Sequence, residues 1–380
     1  ECFMKIVSIE PTPSPYSMKI NVDEHLTDGQ TQNFTLADDK QDAPVYIQEL
    51  FEIKGVKGIY RVINFIALER NPRVAWEEIL PAVREVLGSV EKENDDVIST
   101  SASNEEAFGE VHVYIQTFRY IPMQVKLTEG DNEKRFGLPD RFMNAAMNAS
   151  TASENMLEER KWIEQNPRYG DLEEIGQDVV EEVSASYDNQ RLSDLVNYAL
   201  TNDTSFVSSL NKKVTLEMLN NPNWKERYAA LDQMNPTKED LPVLDKALED
   251  EKSSIRRLAT AYLGMIEDKD VLPYLYKALT DKAVNVRRTA GDCLSDLGFK
   301  EAIPEIIHSL SDKSRLVRWR AAMFLYELGD ETAISALRTA MEDPEFEVRM
   351  QVKMALARIE DGEEAKGSIW NQMTQATKKE

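Results

Sequence analysis

The sequence has few residues that could carry redox or metal chemistry. It contains two cysteines and three histidines among 380 residues. Cys2 precedes Met4, so if Met4 is the native start, Cys293 is the single cysteine and no intrachain disulfide can form, which fits a reducing compartment. A lone thiol without a C-x-x-C pair cannot supply the thiolates that an iron–sulfur cluster needs. The histidines share no metal-ligand spacing; they are His25, His112 and His308. We therefore expect no cofactor and no metal.

Long apolar runs, export signals and excess positive charge are also missing. No stretch approaches the roughly 18 apolar residues of a membrane span, and no apolar segment follows a basic start. The 45 Lys and Arg residues face 68 Asp and Glu residues, a formal net charge of −23. Such a charge disfavours nucleic acid and anionic membrane surfaces as partners. These features predict a cytoplasmic protein.

Catalytic motifs are absent as well. The sequence contains no G-x-S-x-G, no H-E-x-x-H, no P-loop and no G-x-G-x-x-G. Carboxylates are abundant, but the acidic run Glu173–Glu182 favours a solvated helix face over a metal site. An enzyme would need a carboxylate pair with a raised pKa in a pocket. We therefore expect a protein that is not an enzyme.

The strongest positive signal is a repeat of 31 residues in the C-terminal half. Four units begin at Leu248, Leu279, Leu310 and Met341. One column contains Asp250, Asp281, Asp312 and Asp343, and another contains Arg256, Arg287, Arg318 and Arg349. Prolines recur where the upstream helix of a unit should begin, a position that tolerates the missing N–H. Each unit is typical of a helix–turn–helix, and stacked units form a solenoid with a groove.

This pattern resembles the short bacterial HEAT-type repeat, whose second helix carries D-x(5)-R-x-x-A. We predict that the Asp and Arg columns form a structural ladder between successive turns, in preference to a ligand site. The segment 223–234, NWKERYAALDQM, fits a degenerate first unit with Trp224 in the column of Ile255. Cys293 shares an apolar column, so we expect a small core residue.

The position after the ladder arginine changes its character between units, as a structural column should not. It holds Arg257, Arg288, Trp319 and Met350. Helical spacing turns it away from the core columns, and Arg and Trp are frequent in interface hot spots. We predict an outward partner-binding surface formed by Arg257, Arg288, Trp319, Arg320, Tyr326 and Met350. The alternative is that Trp319 packs its ring on the adjacent repeat.

The first part of the chain, residues 4–90, predicts a small α+β domain. Strands at 5–9 and 18–22 flank a proline segment, a helix follows at 44–53, and then come a hairpin and an amphipathic helix. The segments EPTPSPYSMKI, LFEIKGVKGIY and NFIALER resemble the N-terminal domain of Nfu/NifU-type scaffold proteins. In that family a C-x-x-C pair in a different domain holds the cluster. Because this chain lacks the pair, the resemblance implies shared backbone architecture without cluster binding.

The middle of the chain predicts a linker at 91–107 and a mixed region at 108–221. Two strands within 108–127 surround a turn at Arg119–Pro122. Helical patterns follow in ENMLEERKWIEQ, DLEEIGQDVVEEVSASY and RLSDLVNYAL, with NPRYG separating the first two. The repeats then occupy 222–361, and 362–380 form a C-terminal tail. The predicted fold class is an α+β N-terminal domain, a β-hairpin and helical middle region, and an all-α HEAT-type solenoid.

Taken end to end, the chain resembles the conserved virulence factor C family of Gram-positive bacteria. The segments that carry this resemblance are IEPTPSP, WEEILP, RKWIEQNPRYG, LPYLYKAL, VRRTAGDCLSDLG, VRWRAAMF and GSIWNQM. The family joins an Nfu N-terminal-like domain, a middle region and HEAT-like repeats. The resemblance implies an influence on virulence traits such as haemolysin production, without a biochemical mechanism.

Together these observations predict a non-catalytic adaptor or scaffold. A protein or peptide partner would bind in the HEAT-repeat groove, and the Nfu-like domain would supply a second contact surface. The alternative is an accessory factor of iron–sulfur cluster assembly that docks on the machinery without ligating a cluster.

Overall fold

The computed structural model describes residues 4–11, 17–26, 30–36, 38, 40, 43–71, 74–88, 110–129, 132–201 and 213–361. The predicted linker at 91–107, most of the proline segment and the tail at 362–380 lie outside the described residues. The described residues form two compact units, one from within 1–108 and 306–380 and one from within 109–305.

A five-stranded antiparallel sheet forms the centre of the N-terminal domain. Its strands are β1 (Ile6–Pro11), β2 (Ser17–Val22), β3 (Thr31–Thr35), β4 (Val56–Val62) and β5 (Phe65–Arg70). They pair in the order β1-β2-β5-β4-β3. The two strands beside the proline segment and the β4–β5 hairpin were predicted and are confirmed, whereas β3, with its mostly exposed side chains, was not predicted.

Two helices cover one face of this sheet, namely α1 (Val45–Glu52) and α2 (Trp76–Leu87). Pro44 precedes α1 as its N-cap, where the missing N–H has no helical partner to lose. Apolar residues from both helices and from alternate strand positions form one core, including Ile47, Ile66 and Trp76. Both helices agree with the sequence prediction.

The last repeat packs on this N-terminal core within the same unit. The helices of this part are α13 (Arg315–Leu328), α14 (Ile334–Ala340) and α15 (Phe346–Asp361). Phe346 belongs to the core of the N-terminal domain, and Met350 packs against it. Arg70 forms a salt bridge with Glu347 at 3.3 Å, so a mostly buried ion pair joins β5 to α15.

A four-stranded antiparallel sheet forms the first part of the second unit. Its strands are β6 (Glu110–Phe118), β7 (Ile121–Glu129), β8 (Asn132–Gly137) and β9 (Lys161–Tyr169), in the order β8-β7-β6-β9. The predicted hairpin is confirmed as β6 and β7. Its two-residue turn places Arg119 and Tyr120 at positive φ, a conformation that glycine and asparagine normally provide.

The helix predicted over ENMLEERKWIEQ is wrong beyond its first turn. The chain is helical only in α4 (Met156–Glu159), and the strand β9 begins at Lys161. Pairing with β6 satisfies the backbone groups of this segment, and Trp162 and Ile163 suit a strand. Tertiary pairing therefore overrides the local helical pattern, and NPRYG is the end of an edge strand.

Three further helices pack on one face of this sheet and enclose an apolar core. They are α3 (Asp140–Ser150), α5 (Leu172–Ser186) and α6 (Asn189–Thr201). Asp171 caps α5 by accepting hydrogen bonds from the backbone N–H groups of Glu173 and Glu174. Of these helices, α5 and α6 agree with the sequence prediction.

The repeats continue as paired short helices. These are α7 (Trp224–Asp232), α8 (Leu241–Leu248), α9 (Ser253–Gly264), α10 (Leu272–Leu279), α11 (Val284–Leu297) and α12 (Ile303–Ser309). Pro242 and Pro273 lie at the first turns of α8 and α10, as the spacing predicts. The fold class expected from the sequence is therefore confirmed.

The ladder corrects the predicted alignment of the first repeat. Arg227, and not the residue 31 positions before Arg256, donates two hydrogen bonds to Asp250, as Arg256 does to Asp281. The N–H groups of Arg227 and Arg256 also reach the carbonyls six residues before them. Trp224 therefore corresponds to Ser253 and not to Ile255, because the first unit is shorter.

Candidate functional site

Three of the six predicted partner-binding residues lie at buried positions. Arg257 is 8% exposed, Arg288 is 5% exposed and Trp319 is 2% exposed. The expectation that they point outward is wrong, because the helix face opposite the core columns is a second packing surface. The burial of Trp319 agrees with the alternative of a packed ring. Tyr228 holds the same position in the first repeat, so we call Tyr228, Arg257, Arg288, Trp319 and Met350 the post-arginine column.

The other predicted contact residues are half-buried. Arg320 and Tyr326 lie on α13, and both make polar or ring contacts. Met350 packs against the core of the N-terminal domain. Binding of an outside partner by these residues stays a prediction.

The Asp and Arg columns form the expected ladder. Arg256 donates to both carboxylate oxygens of Asp281, and Arg318 does the same to Asp343, at 2.6–3.1 Å. Four ladder arginines also donate to the carbonyl of the aspartate in their own repeat: Arg256 to Asp250, Arg287 to Asp281, Arg318 to Asp312 and Arg349 to Asp343. The aspartates in turn cap the following turn, as Asp312 does for the N–H of Ser314.

Cys293 is a buried core residue, as predicted. Its Sγ lies 3.5 Å from the carbonyl oxygen of Thr260 on the neighbouring helix α9. Gly264 on the same helix faces it, and a Cβ built there would lie 2.8 Å from the Cys293 Cβ. The small side chain of Cys293 and the absence of a side chain at Gly264 therefore allow α9 and α11 to approach closely.

A buried ion cluster joins the middle domain to the first two repeats. Glu182 of α5 is 4% exposed and accepts hydrogen bonds from Arg168 of β9 at 3.1 and 2.5 Å. The hydroxyl of Tyr228 on α7 lies 3.3 Å from the same carboxylate. Arg257 and Ser254 of α9 also lie beside it. We call these five residues the Glu182 cluster.

The electrostatics of the Glu182 cluster favour the carboxylate. Burial alone would raise the pKa of Glu182, but Arg168, Arg257 and the Ser254 hydroxyl lower that pKa to about 2. Burial lowers the pKa of the Arg257 guanidinium, and the nearby Arg168 lowers it further. Burial also raises the pKa of Tyr228 well above its usual value, so its hydroxyl stays protonated. The cluster thus contains one anion between two cations.

Tyr169 makes the adjoining contact with the third repeat. Its backbone N–H donates to the Asn285 side chain at 2.8 Å, and its hydroxyl lies 3.1 Å from an Asp292 oxygen. The guanidinium carbon of Arg288 lies 4.5 Å from the centre of its ring. Arg288 also donates to Asp292 at 3.1 Å. Three post-arginine residues therefore contact the protein's own middle domain: Tyr228 and Arg257 lie beside the Glu182 carboxylate, and Arg288 lies over the Tyr169 ring.

The middle-domain half of this site was not predicted from the sequence. The sequence predicts a solvated helix face for the acidic run Glu173–Glu182, and the burial of Glu182 corrects this prediction for that one residue. The sequence predicts a break between helices at NPRYG, whereas Arg168 and Tyr169 lie in the strand β9. A signal was available in the spacing, because Glu182 follows Val179 and precedes Val183 on the apolar side of α5.

The Glu182 cluster is suited to holding structural elements together and not to acid–base catalysis. A general acid or base needs a pKa near the operating pH, whereas that of Glu182 is far below it. Within the described parts of the chain, no group of three or more His, Cys, Asp or Glu side chains is placed to hold a metal ion. None of the described helices combines the length and apolar character that crossing a bilayer requires.

Family models match three parts of the chain. The model described as scaffold protein Nfu/NifU N terminal matches residues 7–94, and the model described as virulence factor matches 116–196. The HEAT repeat model matches 213–295 and 275–357.

Relatives match over most or all of the chain. The protein YpgR of Bacillus subtilis (strain 168) is 56% identical over 379 residues, covering 99% of this chain and 100% of the relative. Conserved virulence factor C of Staphylococcus haemolyticus is 41% identical over 269 residues, covering 70% of this chain and 71% of the relative. The crystal structure of Staphylococcus aureus SAV1430 is 36% identical, covers 22% of this chain and 98% of that chain, and gives a TM-score of 0.20. Because conserved virulence factor C of Staphylococcus haemolyticus matches this chain at 41% identity over 71% of its own length, the chain belongs to the conserved virulence factor C family.

Proposed function

We propose that this protein is a non-catalytic cytoplasmic adaptor. Its HEAT helices hold the middle domain, the sheet β6–β9 with its helices, in a position from which that domain contacts a protein partner. The observation that carries the proposal is the Glu182 cluster with the neighbouring Tyr169 contact. Three post-arginine residues, Tyr228, Arg257 and Arg288, direct their polar groups to the middle domain. This use of the repeats favours positioning of a domain over chemistry.

Because the middle domain covers Tyr228, Arg257 and Arg288 of the post-arginine column, the partner would bind at another surface. A partner that binds at Tyr228, Arg257 or Arg288 would have to displace Glu182 or Tyr169. This displacement costs about 3–5 kcal/mol, because buried charges would lose their partners. Contact through an exposed part of the middle domain avoids that cost. The family name supports a role in virulence, which this adaptor would exert through its partner.

Co-purification from a Gram-positive host tests the proposal. The tagged full-length chain, a Glu182→Gln variant and a matched Glu181→Gln control are recovered and their associated proteins are quantified by mass spectrometry. We expect a protein partner in comparable amount with the wild type and the control, and less of it with Glu182→Gln. Recovery of the wild type without any stoichiometric partner, or turnover of a substrate by the purified chain, would contradict the adaptor.

A second candidate is an accessory role in iron–sulfur cluster assembly without ligation. The match of residues 7–94 to the Nfu/NifU N-terminal model favours it. Anaerobic incubation of the purified chain with iron and sulfide, followed by absorbance spectroscopy, tests its ligation-free form. Cluster absorbance in the purified chain contradicts this form, and association with cluster-assembly proteins without such absorbance supports it.

A further inference from the structure

The four-stranded sheet of the middle domain has a second face opposite its helices. Apolar side chains such as Val113, Val125 and Leu127 point into the core with α3, α5 and α6. Alternate positions point the other way. Strand pairing places Arg135, Lys126, Tyr114 and Glu164 in one row across the sheet, and Gln124, Gln116 and Trp162 in the next. Except for Gln116, these side chains are half-buried or exposed.

Two cations lie side by side on this face. Lys126 of β7 pairs directly across from Arg135 of β8, and like charges in such a pair repel. Arg135 is 54% exposed and donates to Glu133 at 2.7 Å. Lys126 has no ion pair with any carboxylate in the parts of the chain that the structure describes. Lys126 therefore keeps a positive charge that an external anion can neutralise, whereas Arg135 already shares its charge with Glu133.

Aromatic rings hold these cations in place. The Lys126 ammonium lies 4.7 Å from the ring centre of Tyr114 and 4.6 Å from that of Trp162. The guanidinium carbon of Arg135 lies 5.5 Å from the same Trp162 ring. Cation–π contacts of this kind orient the charged groups without neutralising them. Trp, Tyr and Arg together are the composition of protein interface hot spots.

We propose that this face, defined by Tyr114, Lys126, Arg135 and Trp162 and called the Lys126 face, binds an acidic segment of a protein partner. Carboxylates of the segment contact Lys126 and Arg135, and an aromatic or aliphatic side chain beside them packs on the two rings. The inference rests on the proposed adaptor function and names the surface that the partner uses.

Charge favours a short acidic segment over a nucleic acid. The Lys126 face has two cations, and Glu133 and Glu164 lie at its edges. A nucleic acid presents a continuous row of phosphates, which needs many cationic contacts and would approach a chain of net charge −23. One or two carboxylates followed by an apolar side chain need only the two cations and the rings.

A peptide display experiment tests the surface. A random decapeptide library is selected on the immobilised full-length chain, and the enriched sequences are then measured as labelled peptides by fluorescence anisotropy. The test variant is Lys126→Gln with Arg135→Gln. The control is Lys134→Gln with Lys161→Gln, which removes the same charge at the neighbouring positions that point to the other side of the same sheet. Circular dichroism verifies that both variants are folded.

We expect enrichment of Asp and Glu next to aromatic or aliphatic residues. The test variant should bind such peptides at least about 10-fold more weakly, because two charge-assisted contacts are lost, and the control should bind within about twofold of the wild type. Binding should weaken with added salt. Selection of peptides without acidic residues, or an equal loss in test and control variants, overturns the proposal.

A labelled oligouridine serves as the competing ligand. Tight binding of this RNA that the test variant loses would assign the face to nucleic acid and overturn the acidic-segment proposal. If the display result is negative while the full-length chain still co-purifies with a stoichiometric partner, the adaptor stands and its contact lies elsewhere. If neither a peptide nor a partner binds, both proposals fail.

Discussion

At Glu182 a single carboxylate connects α5 to two repeat helices. Replacing it with Gln leaves Arg168 and Arg257 buried without their anion. Loss of one partner from a buried ion pair costs about 3–5 kcal/mol, so we expect the free energy of unfolding of the second unit to fall by roughly that amount. The exposed neighbour Glu181, whose side chain is 51% exposed, should cost less than about 1 kcal/mol on the same substitution. Urea unfolding at pH 7 measures both.

The pH dependence of that difference has a definite sign. The pKa of Glu182 is lowered to about 2 in the folded chain from an ordinary value of 4.5, so its ionisation stabilises the fold above pH 4.5 and that contribution is lost as the pH falls towards 2. Glu182→Gln does not titrate. The stability gap between wild type and variant should therefore narrow on acidification across this range, and a gap that widens there would contradict the assignment.

In contrast to Glu182, which is buried with its ionic partners, Gln351 is buried with polar atoms that the described residues leave unpaired. Its side chain is 1% exposed, and neither its amide nitrogen nor its carbonyl oxygen has a hydrogen-bond partner among the residues that the structure describes. Burying unpaired polar groups costs about 1–3 kcal/mol, so Gln351→Met, which has a similar volume, should stabilise the first unit by roughly 1 kcal/mol or more. The exposed Gln190, which bonds Asp194, provides a Gln190→Met control without gain. Thermal unfolding distinguishes them, and a loss of stability in Gln351→Met would show that the amide is bonded.

Among elements, the first repeat tests how the ladder is aligned. The structure assigns the ladder position to Arg227, whose side chain is 7% exposed and bonds Asp250, whereas a strict 31-residue spacing would select the exposed Lys225. Arg227→Ala should lower the free energy of unfolding by about 3 kcal/mol, and Lys225→Ala by less than about 0.5 kcal/mol. Similar effects of the two substitutions would restore the 31-residue alignment.

The approach of α9 to α11 makes a second prediction at this scale. Gly264→Ala places a methyl group against Cys293, and such overpacking costs about 1–3 kcal/mol. Removing the sulfur with Cys293→Ala should recover part of that loss, because the closest contact disappears. A double-mutant cycle by urea unfolding measures the recovery. Strictly additive losses would mean that the two helices separate without cost.

For the whole molecule, the ion pair between Arg70 and Glu347 couples the N-terminal domain to the last repeat within the first unit. Burial raises the pKa of Glu347, and Arg70 offsets only part of the rise. Ionisation of Glu347 therefore costs stability in the folded chain, a cost that is relieved as the pH falls through the raised pKa. Arg70 also donates a hydrogen bond to the Val74 carbonyl at 2.7 Å.

The Glu347→Gln variant tests this coupling. We expect the variant to be at least as stable as the wild type at pH 7. As the pH is lowered from 7 to 4, the free energy of unfolding of the wild type should rise relative to that of the variant. Thermal unfolding at several pH values measures the difference. If the wild type instead loses stability relative to the variant over that range, the pair stabilises the fold as an ion pair and the raised pKa is wrong.

Much of the architecture follows from local pattern. The repeat columns, the prolines at Pro242 and Pro273 and the β6–β7 hairpin depend on periodicity and turn chemistry within short segments, so the chain predicts them without its tertiary contacts. The ladder follows as well, because its Asp and Arg recur at one spacing. The segment at 161–165 does not follow, since its pairing with β6 outweighs its helical pattern.

The surface against which the post-arginine column packs could be identified only from the tertiary structure. Periodicity shows that Arg257 and Arg288 leave the helix-pair core, but it carries no information on which surface covers them. Glu182 and Tyr169 lie tens of residues away in sequence, and their contacts with these arginines arise only when α5 and β9 pack on α9 and α11. The spacing of residues shows which of them share one face of a helix. Which part of the protein covers that face depends on contacts between segments that are distant in sequence.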